Sequence, residues 1–326
     1  MDLSKEKNIT INVSENLDFL GKRLDFFLKN KFPEFSRTHF QKLLKKNNIK
    51  VNKNLVSNSY KLKKDDIIEV ENIENNSDEL DIKSENISLD IIYEDEDIVV
   101  INKPSNMVVH PACGNYTGTL VNALMFHFSN LPSLDKNFVR PGIVHRLDKE
   151  TSGIMIIAKN ELAMKSLAKQ FETRKIKKEY LAICYKKSDL DEGKINIKIT
   201  RSKLDRKKMA LSFDNDINAK TSVTNFRVLE KYKDNIVLIK ALPETGRTHQ
   251  IRLHLSYVGY PIINDSVYGV KYKIFNQNFP NLLPRTLLHA KSISFFHPKS
   301  KKFLNMEAKI PNDFQKIISF YKNLNL

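Results

Sequence analysis

The feature that most limits how this chain can fold is a break in its hydrophobic pattern across residues 72–86. That stretch is polar and acidic, includes Glu74-Asn75-Asn76-Ser77, and reads as a linker. Before it, apolar residues recur at helical spacing. After it, they fall into short strand-like runs. A 326-residue chain divided in this way is expected to form two domains, over 17–72 and 88–326, joined by a linker over 73–87.

In the first unit Leu24, Phe27 and Leu28 share one helix face. Phe40, Leu43 and Leu44 share the apolar face of a second helix, for which Ser36 is a candidate N-cap. Arg37, Gln41 and Lys45 form an i, i+4, i+8 stripe on another face, which taken alone reads as an ordinary solvated surface. Short strands are expected at Ile49–Asn52 and Ile67–Val70. In the second unit, Ile91–Tyr93, Ile98–Asn102, Ile154–Ala158, Tyr180–Tyr185, Thr221–Leu229 and Ile236–Leu242 read as strands. Helices are expected over Leu162–Arg174, with Leu162, Leu167 and Phe171 on one face, and over Thr248–Val258, with Thr248 as N-cap. Strands outnumber helices of crossover length, so the fold class is α+β with a mixed, mostly antiparallel sheet.

Net charge is +16 and the pI about 9.5, so the expected partner is a polyanion whose counterions Lys and Arg displace. Heavy use of Asn, Lys and Ile reads partly as compositional drift, which leaves the Arg positions more informative. Cys113 and Cys184 form no C-x-x-C pair, the N-terminus lacks an apolar leader, and the longest apolar runs are too short to span a bilayer. The expectation is a cytoplasmic protein off the membrane, with a monomer as default. No two of the nine glycines have G-x-G or P-loop spacing, and no H-E-x-x-H occurs among the eight histidines. Neither a metal nor a small-molecule cofactor is expected.

Two segments stand out chemically. In His145-Arg146-Leu147-Asp148-Lys149-Glu150-Thr151-Ser152-Gly153, an extended backbone would point Arg146 and Asp148 the same way beside a Ser-Gly turn. In Glu244-Thr245-Gly246-Arg247-Thr248-His249-Gln250-Ile251-Arg252, Arg247 falls just before a helix start. A lone R-x-D is most simply a solvated ion pair. A kinase reading fails, because no Asp-Phe-Gly or Gly-rich loop accompanies the His-Arg-Leu-Asp.

Residues 145–153 resemble the signature of the RluA-type pseudouridine synthases. The opening block Tyr93–Asp97 with Ile101–Pro104, Lys178–Ala182, Gly246–Leu255 and Leu287–Ala290 are similar to further motifs of that family. Arg23-Leu24-Asp25, Ser36-Arg37, Gln41–Leu43, Val51-Asn52 and Asp66–Val70 resemble an S4 RNA-binding domain, although Asn48 and Lys53 stand where that family usually has glycine. Val108–Pro111, Gly114-Asn115, Gly118–Leu124, Arg201 and Lys207–Ala210 are similar to the D-type, large-subunit branch, with Asn264-Asp265 in place of Gly-Asp. The resemblance implies isomerisation of uridine to pseudouridine in 23S ribosomal RNA or its large-subunit precursor, in a stem-loop near the intersubunit bridge. It implies Asp148 as the essential carboxylate, Arg247 as its cationic partner, Tyr180 stacked on the uracil and Arg146 filling the place of the flipped base. Arg37, Gln41, Lys45, Arg201, Arg206, Lys207 and Lys208 are the candidate RNA contacts. The alternatives are another rRNA or tRNA site, or a catalytically silent RNA-binding assembly factor on the same scaffold.

Overall fold

A computed structural model describes residues 8–35, 37–73, 82–111, 114–133, 140–205, 208–214, 216–269, 279 and 285–324. The chain divides into two compact units, residues 1–79 and 80–326.

The first unit packs two helices, α1 (Leu24–Lys31) and α2 (Arg37–Lys45), beside a small sheet. The sheet contains β1 (Asn8–Asn12), β2 (Ile49–Val51), β3 (Asn54–Leu55) and β4 (Ile67–Glu71), in the order β1-β4-β2-β3. The expected apolar faces are the buried ones: Leu24, Phe27 and Leu28 on α1, and Phe40, Leu43 and Leu44 on α2. Two boundaries differ from expectation. β1 pairs with β4, so the unit begins before residue 17, and Ile73 is buried in its core instead of opening the linker. Ser36 lies outside the described residues. α2 ends with Asn47 in the left-handed region (φ 63°), its N–H on Leu44 O and the Asn48 N–H on Leu43 O. The residue that takes the glycine-like conformation is therefore Asn47, not Asn48. Lys53 takes it too, at φ 65°.

Asp25 is fully buried, and this explains part of the polar stripe on α2. Its carboxylate receives Arg23 at 2.9 Å, Arg37 at 3.0 Å and Gln41 at 2.5 Å. Burial alone would raise its pKa, but hydrogen bonds from Arg37, Arg23 and Gln41 outweigh it and hold the carboxyl down to about 2. Arg37 and Gln41 thus tie the two helices together, while Lys45 is exposed.

The second unit is built on a nine-stranded sheet. Its strands are β5 (Ile91–Glu94), β6 (Ile98–Lys103), β7 (Ser152–Ala158), β8 (Lys177–Tyr185), β9 (Glu192–Asn196), β12 (Val223–Lys231), β13 (Ile236–Pro243), β14 (Leu288–Phe296) and β15 (Phe303–Glu307). Their order is β5-β6-β7-β14-β8-β13-β12-β9, with β15 on β14. Among the described residues β7 and β14 pair in parallel and the other neighbours are antiparallel, which is the mixed sheet expected. β10 (Lys198–Arg201) and β11 (Met209–Ser212) form a separate hairpin. Helices α3 (Leu120–His127), α4 (Glu161–Glu172), α5 (Gln250–Tyr257) and α6 (Asn312–Leu324) complete the unit. Glu85 and Lys83, expected in the linker, bond instead to Gly118 and Asn122 at the start of α3.

Two apolar clusters flank the sheet. One gathers β6, β7, α3 and α4; the other gathers β8, β13, α5 and α6. Tyr180 packs against both. α4 begins at Glu161 behind the Asn160 cap and buries Ala163, Met164 and Leu167, while Leu162, expected on that face, is exposed.

Candidate active site

The two chemically distinctive segments converge at the N-terminal half of β8. A cavity of about 510 Å³ is lined by Arg146 and Asp148 from the loop before β7, Lys178 and Tyr180 from β8, and Gly246, Arg247, His249 and Arg252 around the start of α5. Four residues expected in one site, Arg146, Asp148, Tyr180 and Arg247, all line it.

The loop that carries Asp148 alternates in burial: Arg146 exposed, Leu147 buried, Asp148 partly buried. Leu147 anchors it in the core, so its neighbours face the cavity. His145 is a structural residue. The Ile156 N–H donates to its Nε2 at 3.0 Å, its ring stacks on Phe171 at 4.7 Å, and burial keeps it neutral by lowering its pKa to about 3. Beyond Asp148 the loop is clamped at successive residues. Lys103, fully buried, donates to Lys149 O at 3.3 Å as well as to Pro104 O and Met107 O. Thr286 donates to the Glu150 carboxylate through both N–H (3.0 Å) and Oγ1 (2.5 Å). Ser152 Oγ meets His289 Nδ1 at 3.0 Å across the β7–β14 pair. Gly153 follows with φ +120°, where a Cβ would lie 2.2 Å from Ala290 O. Only glycine lets the two backbones approach that closely.

The carboxylate of Asp148 has a guanidinium partner, but it is Arg252, not Arg247. Arg252 Nη1 lies 3.1 Å from Asp148 Oδ2, while Nε and Nη2 grip Asp265 at 2.7 and 2.8 Å. Arg252 sits on the buried face of α5, where an unpaired cation would be costly. Burial lowers its pKa, but the bonds and charge of Asp265, then of Asp148, more than reverse this and raise it. Arg247 precedes the helix, is exposed, and donates from Nε to Thr221 O at 3.2 Å. The helix also starts one residue later than expected. His249, left-handed at φ 55°, occupies the N-cap position in place of Thr248. The loop is held from within by Gln250: its Oε1 accepts from Arg247 N and Thr245 Oγ1, and its Nε2 donates to Val223 O and Thr224 Oγ1. Arg252 is flanked by buried Gln250, Ile251, His254 and Leu255, so no apolar stripe in the sequence singled it out.

Behind Arg252 stands Tyr268, its ring 5.4 Å from the guanidinium carbon. The Tyr268 hydroxyl accepts from Met209 N at 2.8 Å and lies 3.1 Å from His249 Nδ1, joining β11 to the site. Asn264, where glycine was expected, adopts φ 59°, a conformation Asn tolerates. Tyr180 is half-buried, and desolvation together with the Asp148 charge raises its phenol pKa, so it is neutral near pH 7. Of the other candidate RNA contacts, Arg201 and Lys208 lie exposed on the β10–β11 hairpin and Lys208 is 3.9 Å from Asp205. Arg206 and Lys207 lie outside the described residues.

Residues 97–257 match the RNA pseudouridylate synthase family and residues 22–68 the S4 domain. An uncharacterized RNA pseudouridine synthase of Bacillus subtilis (strain 168) is 38% identical over 309 residues, spanning 94% of this chain and 97% of the relative. Ribosomal large subunit pseudouridine synthase D of Buchnera aphidicola (subsp. Baizongia pistaciae) is 36% identical over 95% of this chain and 96% of its own length. The solved structure of human RNA pseudouridylate synthase domain containing 1 superposes with a TM-score of 0.55 at 26% identity, covering 70% of this chain and 86% of that one. The chain belongs to the RNA pseudouridine synthase family: it is an RNA-modifying isomerase with an N-terminal S4 domain.

Proposed function

We propose that this enzyme isomerises uridines of 23S ribosomal RNA, or of its large-subunit precursor, in the cytoplasm, and that it acts as a monomer. Relatives named ribosomal large subunit pseudouridine synthase D support the choice of RNA, being 36–42% identical to this chain. The stem-loop near the intersubunit bridge is the site within that RNA that the resemblance of residues 108–124 favours.

The observation that carries the mechanism is the Asp148–Arg252–Asp265 triad at the cavity wall. Isomerisation breaks N1–C1′ of the nucleotide, turns the base and rejoins it through C5. The target must first leave its stack. Arg252, locked by Asp265, fixes one oxygen of Asp148 and leaves the other free to meet the electron-poor sugar or the base. Tyr180, neutral and half-buried, offers the base a flat apolar face. Arg146, exposed at the rim, is placed to fill the gap left in the RNA. The exposed Arg201, Lys208 and Lys45, with the Arg37–Gln41 helix and the charges of Arg206 and Lys207, supply affinity for phosphates and no base choice.

The test is Asp148→Asn. Pseudouridine formation in a large-subunit RNA transcript is expected to be abolished while RNA binding stays within about twofold, since the side chain keeps its shape. An active Asp148→Asn enzyme would overturn the assignment. Pseudouridine mapping in cells lacking the protein tests the substrate: loss confined to tRNA or to small-subunit RNA refutes the choice of 23S RNA.

A further inference from the structure

Lys178 stands two residues before Tyr180 on β8, so the two side chains leave the same face of the strand and both line the cavity. Its ammonium has one weak contact, 3.4 Å from Thr245 O. No carboxylate pairs with it among the described residues. The acids that line the same cavity are engaged elsewhere: Asp148 with Arg252, Glu172 with Lys169 and Glu244 with Lys194. The adjacent Glu179 is held by Lys240 at 3.2 Å. The neighbouring ring of His145 is neutral, and the field of Lys178 helps keep it so. Burial lowers the ammonium pKa to about 8, which leaves it charged at neutral pH.

Space has been left in front of this cation. A Cβ placed on Gly246 would meet Lys178 Nζ at 3.7 Å and nothing else within 4 Å. Any side chain there would stand over the ammonium. A half-buried cation without a counterion, in an open pocket beside the tyrosine that faces the base, is a binding site for an oxygen acceptor that arrives with the substrate.

The chemistry identifies that acceptor. When N1–C1′ breaks heterolytically, the bonding pair leaves with N1 and the detached uracil is an anion, its charge shared by the ring nitrogens and both carbonyl oxygens. Of the two roles open to Asp148, the sugar-side one lets its carboxylate meet the deficiency at C1′. When C5 bonds to C1′, the C5 proton is lost, N1 gains a proton, and the net change is isomerisation with no other reactant. The anion exists only between these two bond changes, and it needs a cation that does not lie on the sugar side. We propose that Lys178 Nζ binds a carbonyl oxygen of the detached uracil and stabilises its negative charge during the turn of the base.

This rests on the proposed function, and the experiment separates the two. Full-length wild type, Lys178→Met and Lys178→Arg would be compared on a large-subunit RNA transcript by single-turnover conversion, RNA Kd and thermal melting. Lys178→Met is expected to slow conversion at saturating enzyme about 10²-fold, as for loss of one preorganised charge donor, with Kd changed less than about twofold. Its Tm should equal or exceed that of wild type, because an unpaired, desolvated charge has been removed. Lys178→Arg should recover part of the rate. A single-turnover rate within about threefold of wild type, or a loss seen only in Kd, overturns the assignment and in the second case points to a phosphate contact. A lowered Tm in Lys178→Met that tracks the lost rate, with Lys178→Arg equally impaired, also overturns it in favour of a structural role. Wild type that makes no pseudouridine in this RNA refutes the substrate reading instead, and the variants are then compared on the RNA that mapping identifies.

Discussion

Replacing Arg252 by Met separates the partner that the structure assigns to Asp148 from the one that sequence motifs suggested. The guanidinium is 7% exposed and serves two carboxylates through three hydrogen bonds, at 2.7, 2.8 and 3.1 Å. Asp265 is 4% exposed, so after the substitution it retains only the Val267 and Tyr268 N–H donors, at 2.9 and 3.1 Å. Breaking a buried pair by removing one partner costs about 3–5 kcal/mol. For a unit of this size that is a fall in Tm of about 2–4 °C per kcal/mol, or on the order of 10 °C in all. Arg252→Lys should keep the charge but lose the two-point grip on Asp265, and fall between. Arg247→Met, at an exposed site, should change stability by about 0.5 kcal/mol or less.

The same substitution has a pH signature. In the wild type Asp265 is raised by burial and lowered further by its bonds to Arg252, with a net shift downward. A depressed folded pKa gives stability that is present above the unfolded pKa of about 3.9 and lost as pH falls through the folded value. In Arg252→Met burial acts unopposed by the guanidinium and the folded pKa rises above the unfolded one. The folded variant then binds the extra proton, so it gains stability as pH drops from 7 toward 4. The gap between the two proteins should therefore narrow on acidification in denaturant titrations. A gap that is constant or widens, or an Arg247→Met protein that melts as early as Arg252→Met, would refute the reasoning. Single-turnover conversion by Arg252→Met should fall at least as steeply as stability, since Asp148 loses its orienting partner.

Two further substitutions probe what holds the site. Gly153→Ala forces a Cβ to 2.2 Å from Ala290 O, in a backbone region that also disfavours L side chains, and should cost about 2–4 kcal/mol by separating β7 from β14; a melting curve superimposable on wild type would contradict the close approach. Tyr268→Phe removes the hydroxyl that receives Met209 N–H at 2.8 Å and should cost about 1–2 kcal/mol. Faster amide hydrogen exchange at Met209 and a raised RNA Kd are the expected readouts, and unchanged exchange there would show that the hydroxyl does not tether the hairpin.

In the second unit β6 and β7 were legible because they are continuous apolar runs, buried on both faces, that admit little else. The β10–β11 hairpin and the edge strand β9 were not, since exposed strands carry no such pattern. Leu162 was placed on the wrong face: it stands five residues before Leu167 and nine before Phe171, about 140° and 180° away around a helix, and so points to solvent. The carboxylate, the tyrosine and Arg146 of the site could be named because each stands in a motif of linear sequence. Arg252 could not be ranked above Arg247, because the choice depends on where the helix begins. His249 delays that start in a left-handed turn, which histidine adopts too rarely to be foreseen from the sequence.

The loop that carries Asp148 has no regular structure, yet it must hold a carboxylate in place through the making and breaking of bonds to a flipped nucleotide. The fold answers this with anchors on both sides of the residue and from different elements. Leu147 enters the core behind it; Lys103 from β6 takes the carbonyl after it; Thr286 and Arg285, leading into β14, take Glu150; Ser152 and Gly153 lock the following strand. Arg252 fixes the carboxylate itself and is in turn fixed by Asp265 and faced by Tyr268. Each anchor is a hydrogen bond or contact to a rigid strand or helix, so the carboxylate meets its substrate with little reorganisation left to do. Lys178 differs from all of these: it is half-buried in the cavity wall but grips almost nothing, which is the arrangement expected of a group whose partner is present only while the base is detached.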